Sequence, residues 1–150
     1  MTDSYVLPQE PTAQAAIEAI AEDLDVFDDW MDRYGFIIEL GRKLPAFPSG
    51  WMNDAHRVPG CQSQVWMEAA MQDGTLRFAG ASDAAIVSGL VALLLRVYSG
   101  RTPAEILATD PVFLKELGLL EALSTNRGNG IASMARAIQE AAAAAQRQAA

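Results

Sequence analysis

The chain has very little of the two residue types that most often build metal and redox sites. It contains one cysteine, Cys61, and one histidine, His56, among 150 residues. A single cysteine cannot form an internal disulfide bond. A soft-metal site or an iron–sulfur cluster usually needs several cysteine and histidine ligands. We therefore expect no disulfide, no metal site and no iron–sulfur cluster held within one chain.

Positive charge and long apolar runs are also scarce. Asp and Glu outnumber Lys and Arg by 19 to 11, which gives a net charge of −8 and argues against a nucleic-acid binder. An acidic surface can instead steer a protein toward a basic partner surface. The longest apolar stretch, 84 to 95, is too short to span a bilayer. The first residues lack the positive start and apolar stretch of a signal peptide. Together with the lone thiol, these features predict a reducing cytoplasm.

Some segments resemble binding motifs but lack parts that those motifs require. Gly128-Asn129-Gly130 precedes a predicted helix as a phosphate loop does, yet no predicted strand comes before it and no Gly-Lys-Ser/Thr follows. The aspartates at 23, 25, 28 and 29 lack the glycine and the terminal glutamate of an EF-hand. Nucleotide binding and calcium binding are therefore not supported.

The order of predicted elements indicates an α+β fold in a single domain over residues 1 to 150. Residues 1 to 11 are interpreted as a frayed, flexible arm. Thr12 can cap a helix to about residue 24, and a second helix begins near Val26 and ends before Pro45. Strands over 65 to 71 and 75 to 79 flank the turn Gln72-Asp73-Gly74.

Helices make up the rest of the prediction. Ser82 or Asp83 can cap a helix to about residue 99, which is apolar on most of its circumference and should be the buried centre of the domain. Short helices begin after Thr102 and at Asp110-Pro111. The last helix runs from about Asn129 into an alanine-rich tail, about 140 to 150. The residues expected to face the core from the second and last helices are Phe27, Trp30, Met31, Tyr34, Ile37, Ile38, Ile131, Met134, Ala135 and Ile138.

The surroundings of Cys61 are unusual for a buried thiol. Pro59 has a fixed φ angle, whereas Gly60 can adopt φ angles that other residues avoid. The chain is therefore expected to turn just before the sulfur. Polar residues follow, and then an alternation from Val65 onward predicts a strand. The thiol is thus expected on a turn that leads into a sheet edge. Two interpretations remain open: a free cysteine that packs as a small hydrophobe, and a reactive thiol on a loop.

The segment Arg57-Val58-Pro59-Gly60-Cys61-Gln62-Ser63-Gln64-Val65-Trp66 closely resembles the active-cysteine motif of the SufE family of sulfur-acceptor proteins. The resemblance extends from about residue 29 to 138. Other matching blocks follow the family's order: 34 to 44, 80 to 87, 98 to 103, 110 to 111 with 117 to 119, and 124 to 130. It implies the fold of SufE and IscU: N-terminal helices, a small antiparallel sheet with the cysteine loop at its edge, and C-terminal helices packed on one face.

The resemblance also implies a function. A protein of this family takes persulfide sulfur from a pyridoxal-phosphate cysteine desulfurase, SufS-like or CsdA-like, and passes it to an iron–sulfur scaffold complex, SufBCD-like. It stimulates the desulfurase as an accessory, sulfurtransferase-like carrier without a cofactor of its own. Cys61 would then be the persulfide acceptor and Arg127 a supporting residue. The partner-binding residues implied are Arg57, Gly60, Gln62, Ser63, Gln64 and Asp83.

Several points stay open at the level of sequence. His56 precedes Cys61 closely enough to serve as its base, but the family does not generally carry this histidine, and an exposed loop histidine is the alternative. Ala81 stands where family members often have an acidic residue, and the sequence does not determine what this does to the partner interface. CsdE-type carriers share the motif, so the final sulfur recipient is not determined, and neither is the oligomeric state. A non-catalytic desulfurase regulator and a thiol redox sensor at Cys61 are the rival functions.

Overall fold

The computed structural model describes residues 4–60, 63–119 and 125–149, with only the backbone of 125–129 and 149. In this part of the chain the α+β class is confirmed. The elements are α1 (Ala13–Asp25), α2 (Trp30–Arg42), a 3₁₀ turn (Ser49–Trp51), β1 (Val65–Gln72), β2 (Thr75–Ser82), α3 (Ala85–Tyr98), α4 (Pro103–Ala108), α5 (Phe113–Glu116) and α6 (Thr125–Ala149).

The two strands form the predicted antiparallel hairpin. Their register runs from Val65 opposite Ser82 to Gln72 opposite Thr75, so β2 extends to Ser82 and beyond the predicted residue 79. The turn residues Asp73 and Gly74 have φ angles of 53° and 81°. Positive φ at both central residues is the conformation that matches the right-handed twist of a hairpin, and Asp-Gly is a preferred pair for it.

Other parts of the chain cover both edges of this small sheet. On the β1 side, the amide of Val58 donates to the carbonyl of Val65 at 2.8 Å. On the β2 side, the amide of Val6 donates to Phe78 O and the amide of Leu76 to Arg101 O, each at 2.8 Å. These bonds pair the first part of β1 and the central part of β2 with other backbone segments, which shortens the exposed edges of the sheet.

Helix α3 is the buried centre of the domain, as predicted from its apolar circumference. Ten of its residues are buried, among them Leu90, Leu94 and Leu95. It lies so close to α2 that a side chain on Gly89 would collide with the backbone of Ile37. The predicted cap of α3 is wrong, because its N-cap is Ala84 and no side chain caps it. The Asp83 carboxylate accepts a hydrogen bond from the amide of Gln64 instead.

The N-terminal segment differs from the predicted frayed arm. The hydroxyl of Ser99 donates to Val6 O at 2.6 Å, and Glu10 pairs with Arg96 at 2.6 Å. The buried Arg101 guanidinium donates to the carbonyl of Glu10 at 2.7 Å. Residues 6 to 10 are therefore held against the core by partners from α3 and the segment after it. Composition could not reveal those partners.

The helix predictions hold with shifted ends. Thr12 caps α1 and Thr102 caps α4, as expected. Helix α2 begins at Trp30 with Asp29 as its N-cap, so the predicted start near Val26 is too early. Met31 is 82% exposed and does not face the core. Helix α6 begins at Thr125, which places Gly128-Asn129-Gly130 inside the helix and not before it.

The predicted inward face of the last helix is confirmed. Ile131, Met134, Ala135 and Ile138 are all buried, and α6 packs against α3 and α4. Within the described ranges, no helix is both long enough and apolar enough to cross a membrane.

Candidate functional site

The candidate site is the loop 59–64, which connects a short extended segment to β1. Cys61 and Gln62 lie outside the described residues, so the predictions for them are not tested by the coordinates. What the structure does describe is the frame that holds both ends of this loop. That frame has three parts: a stem on the sheet, a contact with α6, and a contact with the turn before α3. A cavity lies beside it.

The stem of the loop is an antiparallel pairing between residues 56–58 and the start of β1. The amide of Val58 donates to Val65 O at 2.8 Å, and the amide of Met67 donates to His56 O at 2.9 Å. Arg57 forms the bridge with Trp66 between these bonds. Val58 and Val65 are buried, at 4% and 0% exposure. The ends of the loop are thereby held at the spacing of paired strands, about 5 Å.

Gly60 fixes the path of the chain just before Cys61. Its φ is 86°, and a Cβ atom built on it would come within 2.6 Å of Ser133 Oγ on α6. Only glycine combines this backbone conformation with so close an approach. The backbone at Gly60 therefore rests on α6. The sequence predicted the turn at this residue but not the helix on which it packs.

The other end of the loop is fastened to the turn before α3. The amide of Gln64 donates to Asp83 Oδ1 at 3.1 Å, and the amide of Asp83 donates to Gln64 O at 3.3 Å. This reciprocal pair explains why an aspartate stands between β2 and α3 although it does not cap the helix. Asp83 and Gln64 are both exposed, so their predicted contacts with a partner stay predictions.

Two further predicted residues flank the loop. Arg57 is exposed on the stem, and Ser63 is half-buried just before Gln64. Arg127 lies in the first turn of α6, and its side chain is outside the described residues. Along the axis of α6, the backbone of Arg127 is about 9 Å from Ser133 at 1.5 Å per residue. Arg127 and the cysteine loop therefore belong to the same end of α6.

His56 is not an exposed loop histidine, which was one of the two interpretations left open by the sequence. Its side chain is 20% exposed, and its ring stacks on Trp51 with centroids 5.9 Å apart and planes at 20°. Its Nδ1 lies 2.9 Å from Asn53 Oδ1, and its Nε2 lies 3.1 Å from Glu68 Oε2. Both ring nitrogens are occupied, so this arrangement does not offer the imidazole as a base for Cys61.

A cavity of about 310 Å³ opens beside the stem of the loop. Its apolar lining comes from the stem, both strands and α6, and includes Val58, Pro59, Met67, Phe78 and Ala137. His56, Arg57 and Glu68 supply its polar lining. Of the two α6 alanines in this lining, Ala141 was interpreted from the sequence only as part of the alanine-rich tail, and Ala137 was not singled out. Their small side chains leave this space open next to the loop.

One of the blocks that resembled the SufE family serves the fold. Block 98 to 103 contains Ser99 and Arg101, which are both buried. The amide of Phe78 donates to Ser99 Oγ at 2.9 Å, and Arg101 Nε donates to Val97 O at 3.1 Å. These residues join α3 to β2 and to the N-terminal segment, at a distance from the cysteine loop in the chain.

Comparison with known proteins gives a consistent result. The sequence profile of SufE, described as an Fe-S metabolism associated domain, matches residues 18–142. An uncharacterized SufE-like protein of Rhizobium meliloti is 40% identical over 132 residues, which cover 85% of this chain and 94% of that protein. A similar protein of Rhizobium etli is 41% identical over 133 residues, which cover 85% of this chain and 90% of that protein.

A named relative and a solved structure extend the comparison. The sulfur acceptor protein CsdE of Escherichia coli is 39% identical over 111 residues, which cover 73% of this chain and 76% of that protein. The solution structure of a hypothetical protein from Thermus thermophilus is similar with a TM-score of 0.73 and 22% identity. It covers 88% of this chain and 96% of its own. At that identity, the likeness shows a shared fold.

Proposed function

The chain belongs to the SufE family, and from this we propose that it is a sulfur acceptor and carrier of iron–sulfur metabolism, with Cys61 as the residue that takes the sulfur. The observation that carries the proposal is the match of the SufE domain over residues 18–142, a range that contains the whole cysteine segment. The identity of 39% to a protein named as a sulfur acceptor supports the same function.

The proposed reaction is a transfer of sulfur between thiols. The Cys61 thiolate attacks the outer sulfur of a persulfide on the donor protein, R–S–SH. A sulfur–sulfur bond forms at Cys61, the bond within the donor persulfide breaks, and the donor leaves as a thiolate, R–S⁻. The product is the persulfide Cys61–S–SH, so charge and electrons balance without an added oxidant. Such exchange depends on thiolate character and access, and it needs no metal.

The frame of the loop suits this chemistry. The stem on β1, the contact of Gly60 with Ser133 and the pair of Gln64 with Asp83 hold both ends of the loop. A carrier needs such a frame because its sulfur must be presented to two different proteins in turn. A single cysteine in the whole chain also favours a carrier, since a second thiol nearby could resolve the persulfide into a disulfide and release sulfide.

We further propose the partners that this chemistry requires. The donor is a pyridoxal-phosphate cysteine desulfurase, SufS-like or CsdA-like, which the carrier stimulates by removing its persulfide product. The recipient is an iron–sulfur scaffold complex, SufBCD-like, and the exchange takes place in the cytoplasm. The described residues that we assign to the donor interface lie around the loop: Arg57, Gly60, Gln64 and Asp83, which are exposed, and Ser63, which is half-buried.

Arg127 is proposed to support the transfer from the first turn of α6. A cation at the N-terminal end of a helix opposes the helix dipole, so this arginine does not serve helix stability there. A nearby guanidinium would favour the thiolate form of Cys61, or it would bind a carboxylate on the desulfurase with its planar, bidentate geometry.

The test is the intact mass of the protein after mixing with a cysteine desulfurase and free cysteine. We expect one added sulfur atom on the wild-type chain and none on Cys61→Ser, which exchanges sulfur for oxygen with little change of volume. A variant that keeps full desulfurase stimulation without taking up sulfur would identify a non-catalytic regulator. Modification of Cys61 by peroxide alone, without uptake of sulfur from the desulfurase, would identify a redox sensor.

A further inference from the structure

The ring of His56 lies between two acceptors that the structure holds in place. On one side, Asn53 Nδ2 donates to Gly50 O at 2.8 Å, which fixes the orientation of the amide. Its Oδ1 therefore faces His56, where it accepts the backbone amide at 3.2 Å and lies 2.9 Å from Nδ1. This oxygen has no proton to donate to the ring.

The second acceptor is the carboxylate of Glu68 on β1. One of its oxygens, Oε2, lies 3.1 Å from His56 Nε2. The other, Oε1, accepts the amide of Ala69 at 2.9 Å. An ionised carboxylate accepts hydrogen bonds only. Both ring nitrogens of His56 therefore face acceptors.

A neutral imidazole has a single N–H and can satisfy one of these two acceptors, whereas the imidazolium donates to both. Arg57, a permanent cation, lines the same cavity as His56 and Glu68. Trp51 contributes a stacked face, and Tyr5 contacts Trp51 from the N-terminal segment. Burial raises the pKa of Tyr5, and the charge of Glu68 raises it further, so this phenol stays neutral.

The histidine is also part of the frame of the cysteine loop. Its carbonyl accepts the amide of Met67, which is one of the two backbone bonds of the stem. The side-chain contact between His56 and Glu68 joins the same two segments, 56–58 and β1, in addition to their backbone bonds. The ring and the backbone of one residue thus hold the stem together.

We propose that His56 is a positioning residue for the cysteine loop, and that the charge of its imidazole sets how firmly the 56–58 stem is held on β1. The protonated ring donates to both acceptors and keeps the stem closed. The neutral ring has one N–H. With that proton on Nε2 it gives up the bond to Asn53 and keeps a weaker bond to Glu68, because the pair no longer carries opposite charges. The stem then opens more often and the loop presents its cysteine less well. This inference rests on the proposed function only in its last step, the effect on sulfur transfer.

Glu68→Gln is the discriminating variant because it reverses the polarity at Nε2. The oxygen of the new side-chain amide can keep the bond from the backbone amide of Ala69, and its nitrogen can donate to an unprotonated Nε2. The neutral ring then satisfies both neighbours, with its remaining proton on Nδ1. The wild type should therefore hold its stem best with a charged ring, and the variant with a neutral one.

The experiment is amide hydrogen exchange from about pH 5 to about pH 8, the range in which histidines generally change charge. The measured quantity is the protection factor of the Met67 amide divided by that of the Leu76 amide. Leu76 serves as the reference because its amide donates to Arg101 O at the other end of the sheet, away from the stem. We expect this ratio to fall about three- to tenfold with rising pH in the wild type, the effect of one hydrogen bond to a charged group that is partly exposed. In Glu68→Gln it should not fall.

The second readout is sulfur uptake from a desulfurase, expressed as the rate of the wild type divided by that of Glu68→Gln. This ratio removes the pH dependence that both proteins share. It should fall over the same pH range, because only the wild type loses its hold on the stem. A pH-independent Met67 ratio in the wild type, or an equal fall in both proteins, would overturn the inference. If Glu68→Gln does not fold, the ¹⁵N shifts of the wild-type ring decide: His56 must change charge in the range where Met67 loses protection. Failure of sulfur uptake at every pH would instead reject the proposed function and leave the exchange result standing.

Discussion

Gly60→Ala should disturb the cysteine loop more than any other single methyl group added to it. A non-glycine residue at a φ of 86° costs about 1–2 kcal/mol. The added Cβ would also stand 2.6 Å from Ser133 Oγ, a distance at which one of the two groups must move. We therefore expect a loss of about 2–3 kcal/mol in the free energy of unfolding if the loop keeps its path. For a chain of this size, that is a fall in Tm of about 4–12 °C.

The alternative response is that the loop leaves α6. The loss of stability would then be smaller, and sulfur acceptance would fall instead, because the backbone before Cys61 no longer follows α6. Urea or thermal unfolding together with sulfur uptake from a desulfurase separates these two responses. A loss of stability and a loss of sulfur acceptance both agree with the structure. The larger the loss of stability relative to the loss of sulfur acceptance, the more firmly α6 holds the loop.

Matched variants separate the two contributions to the stability loss of Gly60→Ala: the unfavourable backbone conformation and the collision with Ser133. Gly50→Ala is the control, since its Cβ would meet nothing within 4 Å and its φ is not positive. Ser133→Ala removes the colliding oxygen and leaves the backbone cost. A double-mutant cycle with Gly60→Ala therefore isolates the steric part, and Ser133→Ala alone corrects for any other interaction that this serine loses. If Gly60→Ala unfolds like Gly50→Ala and accepts sulfur normally, the described contact with α6 is irrelevant to the loop.

Further predictions concern the other residues of the site. Cys61→Ser should fold with unchanged Tm and accept no sulfur by intact mass; loss of the folded state would favour a cysteine that packs as a core residue. Asp83→Ala should cost about 1 kcal/mol in urea unfolding because the amide of Gln64 loses its acceptor, whereas Asp83→Asn keeps an acceptor oxygen and should cost less; equal losses would exclude that bond as the cause. Arg127→Ala should reduce sulfur acceptance at nearly unchanged Tm, and Arg127→Lys should restore only the effect of charge on the thiolate; normal transfer by the alanine variant would remove Arg127 from the mechanism. Hydrogen exchange in residues 59 to 63 should rise when the desulfurase binds, with Gly60 as the hinge, and unchanged exchange would count against a moving loop.

Local features of the fold were readable from the sequence because each depends on neighbours in the chain. Thr12 and Thr102 indicated helices α1 and α4 as N-caps, and Asp73-Gly74 indicated the hairpin. The apolar circumference of α3 indicated a buried helix. The starts of α2 and α6 were misplaced by a few residues: α2 begins after Asp29, whose side chain caps it, and α6 begins at Thr125, before the predicted start near Asn129.

For the site, the lone thiol, the turn that carries it and the family motif around it could all be read from the sequence. What holds that turn could not. Gly60 meets Ser133, Gln64 meets Asp83, and His56 meets Glu68, and each pair joins segments that are far apart in the chain. Asp83 shows the reason most clearly. Because it stands just before a predicted helix, the sequence indicates a helix cap. In the structure the end of β2 lies beside the start of β1, so the Asp83 carboxylate accepts the amide of Gln64 instead. Such bonds depend on strand register and helix packing, which follow from burial over the whole chain and not from any local pattern.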